Sequence, residues 1–243
     1  MPHRKFQAIL WWVCLLVAPL VLVGIELFHP AHFTSTPGMY QYLSMPEPYS
    51  HEFEALAYPG PHWWFALHMI QTPMVGLVAI GLWILADLTA ASTNLMVLLF
   101  AWLSRISTFV FLIYYTALDS IGGFGLGRTI LNTQTLADQG KLTADQVTGV
   151  ITVLNTTWTD PWVGGVGSFI SLTGSWTAFF AALFLALALL VDKKLSWIPA
   201  LLLVGFGWEL QESHTMPHGP IAFALLIIAA IWAWRSNSRA ETA

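Results

Sequence analysis

The sequence predicts an all-α, polytopic integral membrane bundle of about six transmembrane helices with two long extracytoplasmic loops. Two observations carry that prediction. Of 243 residues, 56% are apolar and only 9% are charged, a balance a water-soluble domain of this length does not tolerate. The apolar residues also gather into runs at or near the roughly 20 that a helix needs to cross the hydrocarbon. The chain reads as one transmembrane domain without internal repeats.

The first run covers residues 6–28 behind Arg4 and Lys5. Its basic start is like that of a secretory leader, but no clear small-x-small cleavage site follows, so a retained helix is expected. The second run, 63–85, opens just after Pro61, which suits a first helical turn. The third, 95–118, carries Arg105 near its middle and ends on Asp119. Arg105 is expected to snorkel or to pair with Asp87, because an unpaired arginine at that depth is expensive. The fourth, 163–191, contains Gly164, Gly165, Gly167, Ser168, Ser171, Gly174 and Ser175, a small-residue pattern that lets a neighbouring helix approach closely. The fifth and sixth, 195–210 and 220–234, are short of a full span and predict tilted or shallow pieces meeting at the loop between them.

Basic residues near helix ends are retained on the cytoplasmic side. With six spans, Arg4, Lys5, Lys193, Lys194, Arg235 and Arg239 share one face, which makes the protein multi-pass with both termini cytoplasmic. The opposite face receives two long loops. Loop 29–62 is rich in proline and aromatic residues and is expected to fold as a cap over the helix ends. In loop 120–162, Gly122, Gly123, Gly125 and Gly127 suggest a turn. Farther on, Thr143 and Gln146 form a capping-box pattern ahead of Val147, Val150, Ile151 and Leu154. Those four residues recur at helical spacing, and the segment reads as an amphipathic helix on the membrane surface. The lipid bilayer is thus the expected partner. A net charge of −4 without a basic stripe argues against nucleic acid. The lone Cys14 excludes a disulfide framework and a thiolate metal site.

The outer face collects seven of the eight histidines and ten of the thirteen carboxylates. His68 falls about two turns inside the second helix, where an ionisable side chain is costly and marks a candidate function. Asp119 closes the third helix at the same face. The segment from Glu209 through Glu212, His214 and His218 to Pro220 is the densest polar stretch in the chain. His214 and His218 are four apart, the spacing that aims two imidazoles at one ligand on a helix, although Pro217 and Pro220 oppose that geometry.

These residues predict a metal site with His68, His214 and His218 as ligands, and Asp119 as a further ligand or orienting base. Glu209 or Glu212 would shuttle protons. Zinc is favoured, and its chemistry implies hydrolysis of an amphiphilic substrate entering from the outer leaflet. Copper or iron could use the same imidazoles, with Met69 or Met216 as soft ligands. A haem held by His68 with His214 or His218 is an alternative, as is a transporter or non-catalytic membrane subunit. Glu26 and His29 form one Glu-x-x-His pair, but a carboxylate-bridged di-iron site needs a second. His32, His51 and His62 read as surface residues.

The order His68, Asp119, His214, His218 is similar to the pattern of transmembrane zinc hydrolases of the alkaline ceramidase and progestin-receptor type. That resemblance implies a zinc-dependent hydrolase. The chain departs from the pattern in having six spans instead of seven and Pro217 inside the His-x-x-x-His stretch. Ser168 with His218 resembles the serine and histidine of rhomboid-type intramembrane proteases, although Gly165-Val166-Gly167-Ser168-Phe169 lacks their Gly-x-Ser-Gly arrangement.

Overall fold

The computed structural model describes residues 2–30, 38–44 and 60–240, and its regular structure there is entirely helical. The elements are α1 (Pro2–Trp12), a wide π-helical stretch Val13–Val17, α2 (Ala18–Glu26), α3 (Met39–Ser44), α4 (Gly60–Asp87) and α5 (Leu95–Leu118). They continue with a second wide stretch, Asp119–Gly125, then α6 (Leu126–Asp138), α7 (Ala144–Trp158), α8 (Phe169–Val191), α9 (Trp197–Glu212) and α10 (His218–Ala240). Five helices among the described residues are long and apolar enough to cross a membrane: Lys5–Glu26, Gly60–Asp87, Leu95–Asp138, Phe169–Val191 and His218–Ser236. This is the architecture of a helical membrane bundle. Helix α9, with 16 residues, is the short member that the sequence anticipated. Helix α10 is longer than expected, at 23 residues: it starts two residues before Pro220, which sits in the first turn where no intrahelical N–H bond is lost, and it runs on past Trp234 to Ala240.

The surface of α5 shows which solvent it is built for. Trp102, Ile106, Phe109 and Ile113 recur every three or four residues and are all exposed, while Ala101, Ser104, Thr108 and Phe111 on the other side are buried. Large apolar groups outside and hydroxyls inside are the arrangement expected of a helix solvated by lipid. Both buried hydroxyls find acceptors: Ser104 Oγ donates to Ala181 O at 2.9 Å and Thr108 Oγ1 to Ser104 O at 2.8 Å. Arg105 pairs with Asp87 at 2.6 Å and lies over the Trp102 ring.

The chain divides into two compact units. One comprises Met1–Leu27, Pro73–Ile113 and Gly174–Ala243. Within it α10 packs along α9 and α2. Its core is lined by Leu15, Leu22, Phe206 and Phe223, with Ala178, Ala181, Ala182 and Ala186 supplying a small-residue face on α8.

The other unit comprises Phe28–Thr72 and Tyr114–Thr173. Here α3, α6 and α7 pack together around buried Trp64, Met39, Tyr42, Leu43, Leu126 and Ile130. The capping box at Thr143 and Gln146 is present at the start of α7. The apolar face of that helix is turned to protein, since Ile151, Leu154 and Trp158 pack on the Trp64 cluster. Asn155 Oδ1 accepts the Tyr40 N–H at 3.2 Å and ties α7 to α3. This described part of loop 29–62 thus packs on α6 and α7; residues 31–37 and 45–59, with His32 and His51, lie outside the described residues.

Two local expectations differ from what is found. The glycines after Asp119 break the helix by a kink and not by an open loop: within the wide stretch Asp119–Gly125, Gly123 leaves helical geometry (φ −90°, ψ −105°) before α6 begins. Helix α8 begins at Phe169, six residues later than the apolar run, because the preceding residues close on themselves. Asp160 Oδ1 accepts the N–H groups of Trp162 and Val163, and Gly165 N–H bonds to Trp158 O at 2.8 Å.

Candidate metal centre

Pro61 in the first turn of α4 sets the register that carries Trp64, His68, Gln71 and Thr72 down the helix. His68 is 3% exposed, and His29, just beyond the end of α2, is equally buried. The two imidazoles meet edge to face with centroids 5.2 Å apart, and both rest on the Trp64 indole, at 5.3 Å from His29 and 4.5 Å from His68. That indole is fixed in turn, donating to the carbonyls of Gly122 and Gly123 at 3.0 Å each. Gly123 permits this arrangement. A Cβ on Gly123 would lie 2.4 Å from His68 Cδ2, so the glycine run serves as a notch for the imidazole.

Each ring is also set in its tautomer. His29 Nδ1 bonds to Pro30 O at 2.8 Å and His68 Nδ1 to Trp64 O at 2.7 Å. A backbone carbonyl only accepts, so Nδ1 carries a proton in both rings; in the neutral imidazole Nε2 is then the nitrogen with the lone pair. Histidines that bind metals use this same device, giving one N–H to an oxygen and presenting the other nitrogen to the ion.

His214 supplies a third imidazole. It lies in the loop between α9 and α10, where the chain folds back so tightly that a Cβ on Gly219 would sit 1.7 Å from His214 O. Loss of solvation around the ring pushes its pKa down to about 4, so it is neutral at ordinary pH and able to act as a ligand. One donor atom from each of His29, His68 and His214 lies within 4.8 Å of the others.

Of the residues singled out from sequence, His68 and His214 therefore come together, and the third member of the group is His29. His218 begins α10 and is turned elsewhere, with its Nδ1 2.8 Å from Glu209 Oε2 in a half-exposed pair. Glu212 and His62 are exposed. Met69 is 49% exposed on the outer side of α4, away from the buried face that carries His68. Asp119 is buried and approaches Thr72, whose Oγ1 lies 2.7 Å from Asp119 Oδ2 and 3.0 Å from His68 O. Ser168 is occupied in capping α8, donating to Gly164 O and accepting the Ser171 N–H.

Three neutral imidazoles suit a divalent ion of the zinc type, whose nitrogen ligands stand at about 2.0–2.1 Å. In a tetrahedral set, such ligands are about 3.3 Å from each other. No protein-family model matches the chain, and neither the curated proteins nor the solved structures compared with it include a match.

Proposed function

We propose that this chain is a membrane metalloprotein in which His29, His68 and His214 hold one zinc-type ion. The observation that carries the reading is the approach of three donor atoms to within 4.8 Å. It is supported by the Nδ1 bonds of His29 and His68 to backbone carbonyls, which leave Nε2 of each as a donor to an ion. The donors favour a single ion over haem. His29 and His68 meet edge to face too closely for a porphyrin plane to pass between them, and a third imidazole converges on the same point.

With three protein ligands, a zinc-type ion keeps a fourth position for water and supplies hydrolytic chemistry there. A metal-dependent hydrolase acting on a membrane amphiphile is the activity this donor set suits best. In that scheme the Glu209–His218 pair, beside His214 in sequence and open to solvent, carries the proton to and from water. The carboxylate orients Nδ1–H of His218 and leaves its Nε2 as the exchanging nitrogen. We also propose that both termini are cytoplasmic, with α9 crossing as a short sixth span; the six basic residues near the helix ends support this orientation.

Zinc titration calorimetry on detergent-purified, chelator-treated protein tests the reading. One ion per chain is expected for the wild type and for His218→Ala. Affinity should fall in His29→Ala by more than the 10- to 100-fold typical of losing an outer-shell partner. Absence of binding in the wild type, or equal affinity in His29→Ala, would overturn it.

A further inference from the structure

We infer that Asp119 is a neutral carboxylic acid, a buried proton-binding site that donates its hydrogen bond to Thr72. The inference rests on counting protons and acceptors and does not depend on the metal reading. Thr72 Oγ1 has one proton and two oxygens in range, His68 O at 3.0 Å and Asp119 Oδ2 at 2.7 Å. Threonines elsewhere in these helices give their proton to the carbonyl four residues earlier: Thr108, Thr129, Thr133, Thr135, Thr148 and Thr152 all do so at 2.8–2.9 Å. If Thr72 does the same, its oxygen presents lone pairs to Asp119, and the proton between them must belong to the carboxyl group.

Burial leads to the same answer. Asp119 is 2% exposed. Among the described residues Thr72 is its hydrogen-bond partner and no lysine or arginine pairs with it. An ionised carboxylate offers about four acceptor sites, and a single hydroxyl donor is poor compensation for removing that charge from water. A neutral acid needs one acceptor for its O–H, and Thr72 provides it.

Among the described residues, the titratable groups nearest Asp119 along its own helix and α4 are Tyr115, one turn earlier, whose OH accepts from Gln71 Nε2 at 2.5 Å, and His68, one turn before Thr72. Neither is a fixed cation. Asp119 is therefore a stored proton one hydroxyl away from the backbone that carries His68. The anionic ligand or base expected from sequence gives way to an acid.

Infrared spectroscopy of the purified full chain at neutral pH reads the protonation state directly. The expected result is a protonated-carboxyl C=O band that shifts down in D2O and is absent from Asp119→Asn. In Thr72→Val the band should move to higher frequency, because the carboxyl loses its partner; this second variant leaves Asp119 in place. A neutral acid also predicts that Asp119→Asn melts within a few degrees of the wild type. A wild-type minus Asp119→Asn spectrum containing only carboxylate bands, or a band unmoved by Thr72→Val, would overturn the inference.

Discussion

Two histidine pairs in this protein show how little sequence spacing says about role. His214 and His218 are separated by three residues, yet His214 joins the buried group while His218 turns to Glu209 in a half-exposed pair. His29 and His68 are 39 positions apart and stand with their rings 5.2 Å apart. What separates the two cases is the group that holds Nδ1. In His29 and His68 it is a backbone carbonyl, which is rigid and uncharged and leaves a neutral donor nitrogen in a dry setting. In His218 it is the Glu209 carboxylate, at the edge of solvent. The first arrangement favours binding an ion and the second favours exchange with water.

The contrast can be broken most severely at Gly123. A methyl group there would overlap His68 Cδ2 at 2.4 Å, so Gly123→Ala should displace the ring. Zinc affinity should fall by about 10-fold or more, the scale of losing ligand orientation. The melting temperature should also drop, because a small-to-large change in a packed site costs about 1–3 kcal/mol. Calorimetry and thermal unfolding in detergent measure both, and Gly123→Ala with unchanged zinc affinity would remove the notch from the account.

A smaller effect sharpens the contrast through pH. The folded pKa of His214 is lowered from 6.5 to about 4, so between those values the unfolded chain binds a proton that the folded chain refuses. Stability of the metal-free protein should therefore fall as pH drops from about 6.5 toward 4, with His214 contributing no further change below that. His214→Asn should flatten this slope in thermal melts. An unaltered slope would mean that another group supplies it.

Much of the fold could be read from the chain, and the reasons are local. Pro61 marked the start of α4 and so placed His68 two turns inside it. Thr143 and Gln146 announced α7, and Arg105 found Asp87, as the cost of an unpaired mid-membrane charge requires. The failures arose where the answer lay in tertiary packing. The glycines at 122–127 signal a break in the helix, and the chain does kink at Gly123; what the sequence does not show is that this glycine also makes room for an imidazole. Period alone does not reveal that Ile151, Leu154 and Trp158 of α7 pack on the Trp64 cluster. His29 is hidden in the sequence because its nearest partner there, Glu26, suggests half of a di-iron motif; its contact with His68 has no counterpart in spacing. The four-residue distance between His214 and His218 suggests a shared ligand, but with Pro217 and Pro220 in the stretch the two do not share a helix: His214 lies in the loop before α10, which His218 begins.

The most direct test of a three-imidazole centre is zinc K-edge X-ray absorption on the protein loaded with one equivalent of zinc. The account predicts a first shell of nitrogen and oxygen at about 2.0–2.1 Å, with outer-shell scattering from three imidazoles, decreasing to two in His29→Ala and unchanged in His218→Ala. A first shell dominated by water or carboxylate oxygen, or one that loses an imidazole in His218→Ala and not in His29→Ala, would contradict it.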